Sequence, residues 1–172
     1  MKTLKYLLAS LTLVVTFISV HAQGSMTGGL AVNKVLTSYY GVKNALVADN
    51  NGDAKSKAKE LLAAVIAVPS DKLNADQHKI WITYTDKLQF DSRHISESGA
   101  IEHQREHFTS LSKNLYAVLK AMKLNSTVVY EQYCPMKKAT WLSETVTIKN
   151  PYYGKKMPEC GRTTETLASV KQ

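Results

Sequence analysis

Between positions 30 and 122 apolar residues recur at helical spacing, interrupted three times by turn-forming residues. Val32, Val35, Leu36, Tyr39, Val42 and Leu46 share one helix face, and Asn50-Asn51-Gly52 ends the run. Asp53 is placed to cap a second helix with Ala54, Ala58, Leu61, Leu62, Val65 and Ile66 as its apolar positions, and Pro69-Ser70 breaks it. A third helix starts near Asn74 or Asp76 and carries Ile80, Trp81, Tyr84, Leu88 and Ile95. Ser98-Gly99 interrupts the pattern, and Ile101, Phe108, Leu111, Leu115, Val118, Leu119 and Met122 form the inner stripe of a fourth. Short connections favour antiparallel neighbours, so the pattern predicts a mainly α protein built on an antiparallel four-helix bundle.

After Asn125 the character changes. Thr127–Tyr133 and Thr145–Ile148 are rich in β-branched and aromatic residues and read as short strands, with turn signals at Asn150-Pro151 and Tyr153-Gly154. The tail has too little apolar sequence to fold alone. It is expected to pack on the bundle through Tyr130, Trp141, Leu142 and Tyr152, as a C-terminal β-hairpin or loop cap. The expected organisation is one domain over 23–172, with the bundle at about 27–124 and a sulfur-rich cap at 125–167.

The first 22 residues read as a secretory signal peptide. Lys2 and Lys5 precede an apolar run from Leu7 to Val20, and Val20-His21-Ala22 offers a cleavage site before Gln23. The run is short for a membrane span. The expected location is therefore periplasmic or secreted, with no stable membrane insertion after cleavage. Without Lys2 and Lys5 the formal charge falls from +8 to +6, and the remaining lysines are scattered. No block of like charge and no aromatic–arginine stripe points to nucleic acid as a partner. Asn125-Ser126-Thr127 fits a glycosylation sequon, a pattern common by chance.

The residues with distinctive chemistry are sulfur and imidazole. Both cysteines have a methionine close by, in Cys134-Pro135-Met136 and Met157-Pro158-Glu159-Cys160. Two cysteines outside the cytosol fit a disulfide, which here would close a loop of about 27 residues and contribute about 3–4 kcal/mol in the chain-entropy model. Thioether beside thiolate, twice, among lysines and prolines rather than apolar neighbours, fits a soft cation such as Cu(I) equally well. A site open only when the thiols are reduced combines the two.

His103 and His107 lie one helical turn apart on one face. If Ser98-Gly99 is the turn of a helical hairpin, His94 and His103 sit at nearly equal height on facing helices. His78 is far from that turn and reads as an ordinary polar residue. There is no C-x-x-C pair, H-E-x-x-H helix, glycine-rich phosphate loop or G-x-S-x-G elbow, so the chain is not expected to be an enzyme.

The chain resembles the exported DUF3347 proteins of Bacteroidetes-type bacteria, a module also found fused to CusB-like adaptors of heavy-metal efflux systems. The resemblance rests on Tyr133-Cys134-Pro135-Met136, Trp141-Leu142-Ser143, Ile148-Lys149-Asn150-Pro151-Tyr152-Tyr153-Gly154 and Met157-Pro158-Glu159-Cys160-Gly161. Upstream it takes in His94-Ile95, Gln104-Arg105-Glu106-His107-Phe108 and Leu111-Ser112. Pro158 departs from the large apolar residue expected after Met157. The resemblance implies heavy-metal binding, most readily copper, without catalysis, and an efflux adaptor or pump as partner. The expected ligands are Cys134, Met136, Met157 and Cys160, completed by His94, His103 and His107, with Cu(I) or another soft heavy-metal ion as the cofactor. The competing reading is a structural or interaction module of an envelope complex, stapled by a Cys134–Cys160 disulfide.

Overall fold

Four helices and three strands follow one another along the chain in the computed structural model, which describes residues 19–170 and places side chains from residue 27 onward. The helices are α1 (Ser19–Val47), α2 (Asn51–Ile66), α3 (Ala75–Glu97) and α4 (Ile101–Met122). The strands are β1 (Val129–Cys134), β2 (Ala139–Ser143) and β3 (Arg162–Leu167). Most of the expected signal peptide, including Lys2, Lys5 and the start of the apolar run, lies outside the described residues. Its last residues, Ser19–Ala22, open α1. Among the described residues no helix is long and apolar enough to cross a membrane.

Helix starts and stops follow local chemistry. Asn50, rather than Asp53, caps α2: its side chain accepts the backbone N–H of Asp53, which lies inside the first turn. Asn74 caps α3 in a reciprocal box with Gln77. α4 ends at Lys123, which takes a left-handed conformation at φ 52° and returns its N–H to Leu119 O. The apolar stripes face inward as the spacing predicts, except that α2 buries Ala64 and turns Ile66 out to solvent.

Each helix packs chiefly on its sequence neighbour, α1 on α2, α2 on α3 and α3 on α4. The sheet has the order β2-β1-β3 and is antiparallel throughout, with Cys134 opposite Ala139 and Tyr133 opposite Arg162. Two details differ from the sequence expectation. Thr145–Ile148 is not a strand: β1 already has β2 and β3 on its two edges, and Gln132 Nε2 donates to the carbonyls of Thr145 (3.0 Å) and Val146 (3.2 Å) instead. The third strand is Arg162–Leu167, whose polar Thr-Thr-Glu-Thr run carries little hydrophobic signal.

Tyr39, Lys43 and Arg105 are among the side chains that fasten the cap to the bundle. Tyr39 on α1 is fully buried, stacks on Phe108 of α4 at 5.1 Å, shares a 2.7 Å hydrogen bond with Ser112 and accepts the Leu142 N–H of β2 at 3.0 Å. Lys43, also on α1, is almost wholly buried and donates to Glu144 at 2.6 Å. Burial pulls the Lys43 ammonium below its usual range, and the Glu144 carboxylate works against that shift. Arg105 of α4 donates to Pro151 O at 2.8 Å and to Leu46 O at 3.1 Å, and pairs with Asp49 just beyond α1. The Asn125 of the apparent sequon is 2% exposed and its amide nitrogen donates to Thr127 O and Ala168 O, so it serves the fold rather than a glycan.

Candidate metal centre

The α3–α4 hairpin turns over Ser98–Ala100, and Gln104 fixes it. That side chain is fully buried and its Nε2 faces the carbonyls of Asn51 (3.0 Å), Ile95 (3.3 Å) and Ser98 (2.9 Å). The end of α3, the turn and the start of α2 are thereby held to one point. Asn51 adds a second tie to Gly99 O at 2.5 Å.

This anchoring sets His94 of α3 beside His103 and His107 of α4. One nitrogen from each ring lies within 4.8 Å of the other two. The His94 and His107 rings are stacked at 4.5 Å, and His103 meets His107 edge-on at 4.7 Å. An ion with metal–nitrogen bonds of about 2.0–2.1 Å needs nitrogens roughly 3.3–3.6 Å apart. The rings must therefore close by about an ångström, and the stacked pair must turn about χ2, a soft torsion for imidazole.

Around the trio the environment is graded. His107 is mostly covered and its Nδ1 lies 3.0 Å from the Asp91 carboxylate, itself buried on α3. With Asp91 ionised, Nδ1–H donates to it and Nε2 keeps the lone pair, the arrangement of carboxylate–histidine–metal sites. His103 is half-exposed, with Nδ1 3.5 Å from Glu106. Phe90, 56% exposed, lies 4.2 Å from the His94 ring and 5.6 Å from His107, and shields one side of the cluster.

The sulfur residues assemble elsewhere. α4 turns Arg105 and Phe108 toward the cap and His103 and His107 toward α3. Cys134, at the end of β1, is fully buried, and Cys160 is half-buried with its sulfur 4.0 Å away. Both are free thiols: a disulfide needs about 2.05 Å, so the staple is not formed. Burial, the Cys134 hydrogen bond and its charge push the Cys160 thiol up, and a backbone N–H from Met136 opposes this. The contacts the structure gives both methionines here are backbone ones. Met136 is exposed on the β1–β2 turn, and Met157 O accepts the Cys160 N–H at 3.3 Å.

Of the seven expected donors, the three imidazoles thus form one cluster and the two thiols a separate pair. Among the described residues no cysteine joins the histidines, and His78 also stands outside the group. Asp91 and Phe90 were not singled out by sequence, and Gln104 entered only as part of the stretch carrying the family resemblance. Asp91 carries the one usable signal, since it precedes His94 by three residues on the same helical face.

The family model described as a protein of unknown function, DUF3347, matches residues 35–127, more than half of the chain. The chain belongs to the DUF3347 family. The matched stretch holds α1 from Val35 onward, all of α2–α4 and the three histidines, and it stops before β1 and the cysteines of this DUF3347 chain. No curated protein and no solved structure matches.

Proposed function

We propose that this DUF3347 protein is an exported, non-catalytic metal-binding protein that holds copper, or a similar heavy-metal ion, for buffering or for hand-over to an efflux system. The observation that carries this reading is the convergence of His94, His103 and His107, with buried Asp91 behind His107. A carboxylate orienting an imidazole from behind fixes its tautomer and raises its basicity, which serves ligation directly. Imidazole suits copper, zinc and nickel, and copper heads the affinity order at nitrogen sites. Export is supported by the charged and apolar N-terminus, and a role in efflux by the resemblance to modules fused to efflux adaptors.

The test is copper titration of the mature protein against a competing chelator. Wild type is expected to hold one copper through imidazole nitrogens, counted apart from any ion at the thiols, with His103→Ala and His107→Ala each weakening that site at least tenfold. Equal affinity in wild type and a His94→Ala/His103→Ala/His107→Ala variant, folded by circular dichroism, would sink the reading.

A further inference from the structure

The thiol pair is built more carefully than a chance approach of two cysteines requires. Asn150 is fully buried between them, and its Nδ2 faces Cys134 Sγ at 3.1 Å and Cys160 O at 2.6 Å. Its Oδ1 accepts the Tyr152 N–H at 2.8 Å, and its own N–H donates to Pro158 O at 2.8 Å. One side chain therefore ties the strand carrying Cys134 to the loop carrying Cys160. A second restraint follows at Gly161. A Cβ there would lie 2.7 Å from the Trp141 ring and 3.0 Å from Tyr133 O, so the chain must pass close against the sheet immediately after Cys160.

The separation is informative. Two sulfurs each about 2.3 Å from a shared ion stand about 4.0 Å apart when the angle at the ion is about 120°. The observed 4.0 Å fits a bent arrangement, and the linear one a two-coordinate ion prefers needs the sulfurs about 0.6 Å further apart. Zinc in a structural site needs four such donors, and among the described residues no further His, Cys, Asp or Glu joins the pair. Two thiolates alone select a soft ion content with few ligands. The Asn150 amide and the Met136 N–H point donors at the two sulfurs, as outer-shell groups do at thiolate centres.

We propose that Cys134 and Cys160 form a second metal centre, distinct from the histidines, which takes a monovalent soft ion, Cu(I) or Ag(I), between two thiolates, with Asn150 as the positioning residue. Binding forms two sulfur–metal bonds and breaks two S–H bonds, both protons going to solvent, with no change of oxidation state. The centre stands or falls independently of the histidine reading, because the two donor sets share no residue.

The experiment is Ag(I) titration of the reduced, full mature chain, followed by thiol alkylation and by thiolate-to-metal absorption with Cu(I). One equivalent of Ag(I) should protect both thiols in wild type and in the His94→Ala/His103→Ala/His107→Ala variant. Cys160→Ser, at the half-buried position, should lose at least a hundredfold in affinity while keeping the wild-type circular dichroism. Asn150→Ala should weaken binding about 10–100-fold and shift the Cu(I) absorption band, a change that mere loosening of the cap would not produce. Thiols that stay fully reactive with one equivalent of Ag(I), or equal affinity in Cys160→Ser, would overturn the proposal. Loss of Ag(I) from the triple histidine variant with both cysteines intact would overturn the independence of the two centres.

Discussion

Asp91 of α3 lies 3.0 Å from the Nδ1 of His107 on α4, a carboxylate 5% exposed facing an imidazole 17% exposed. A buried acid of this kind costs desolvation unless it is paired, and here its partner is a candidate ligand. Asp91→Asn keeps the shape and removes the charge. Copper affinity at the histidine cluster is expected to fall about 10–100-fold, read by chelator competition. An unchanged affinity would show that the pair serves packing alone.

Tyr39→Phe isolates the link between bundle and cap. The ring keeps its stack on Phe108, but the buried Ser112 hydroxyl loses a partner and the Leu142 N–H loses its acceptor. The expected loss is about 1–3 kcal/mol in denaturant unfolding. A change within experimental error would mean that water or a rearranged partner replaces the hydroxyl.

Gly154 sits at φ +51°, and a Cβ there would collide with the Asp49 carboxylate and come within 2.8 Å of Arg105 Nη2. The left-handed conformation alone costs a side-chain-bearing residue about 1–2 kcal/mol. Gly154→Ala is expected to exceed that, because it also disturbs the Asp49–Arg105 pair. Thermal melting of the two proteins decides this, and a shift no larger than that of a surface substitution would refute it.

The same pair sets an acid limit. The Lys155 N–H, helped by the Arg105 guanidinium, holds the Asp49 carboxyl below its usual range against the upward push of burial. A folded-state pKa below the unfolded one contributes stability above about pH 4 and loses it as pH falls through the folded value. Urea midpoints should therefore drop on acidification below about pH 4, and less steeply in Asp49→Asn. Parallel curves for the two proteins would assign the acid sensitivity to other carboxylates.

Much of the bundle was legible because its signals are local. Asn74 and Gln77 form a cap box within four residues, and Ser98-Gly99 announces the hairpin that brings His94 to His103. The cap was less legible because its pairing is decided at a distance. Thr145–Ile148 has strand-forming residues but gives its Thr145 and Val146 carbonyls to the Gln132 amide, whereas the polar Arg162–Leu167 wins the free edge of β1. Spacing placed His103 and His107 on one face of α4 but could not tell which face the cap would cover. Arg105 and Phe108 take the cap, and so the imidazoles and the thiols separate.

The Gln104 clamp has a consequence for how cargo would be released. In a zinc finger the ion is what folds the chain, and removing it dissolves the domain. Here the two helices bearing the imidazoles are already joined by a three-residue turn and pinned by a side chain that is not itself a ligand. An ion at that end adds a crosslink between neighbours that are tethered without it. Under the proposed function, such a protein would surrender its metal to a tighter acceptor and remain folded, ready to be loaded again.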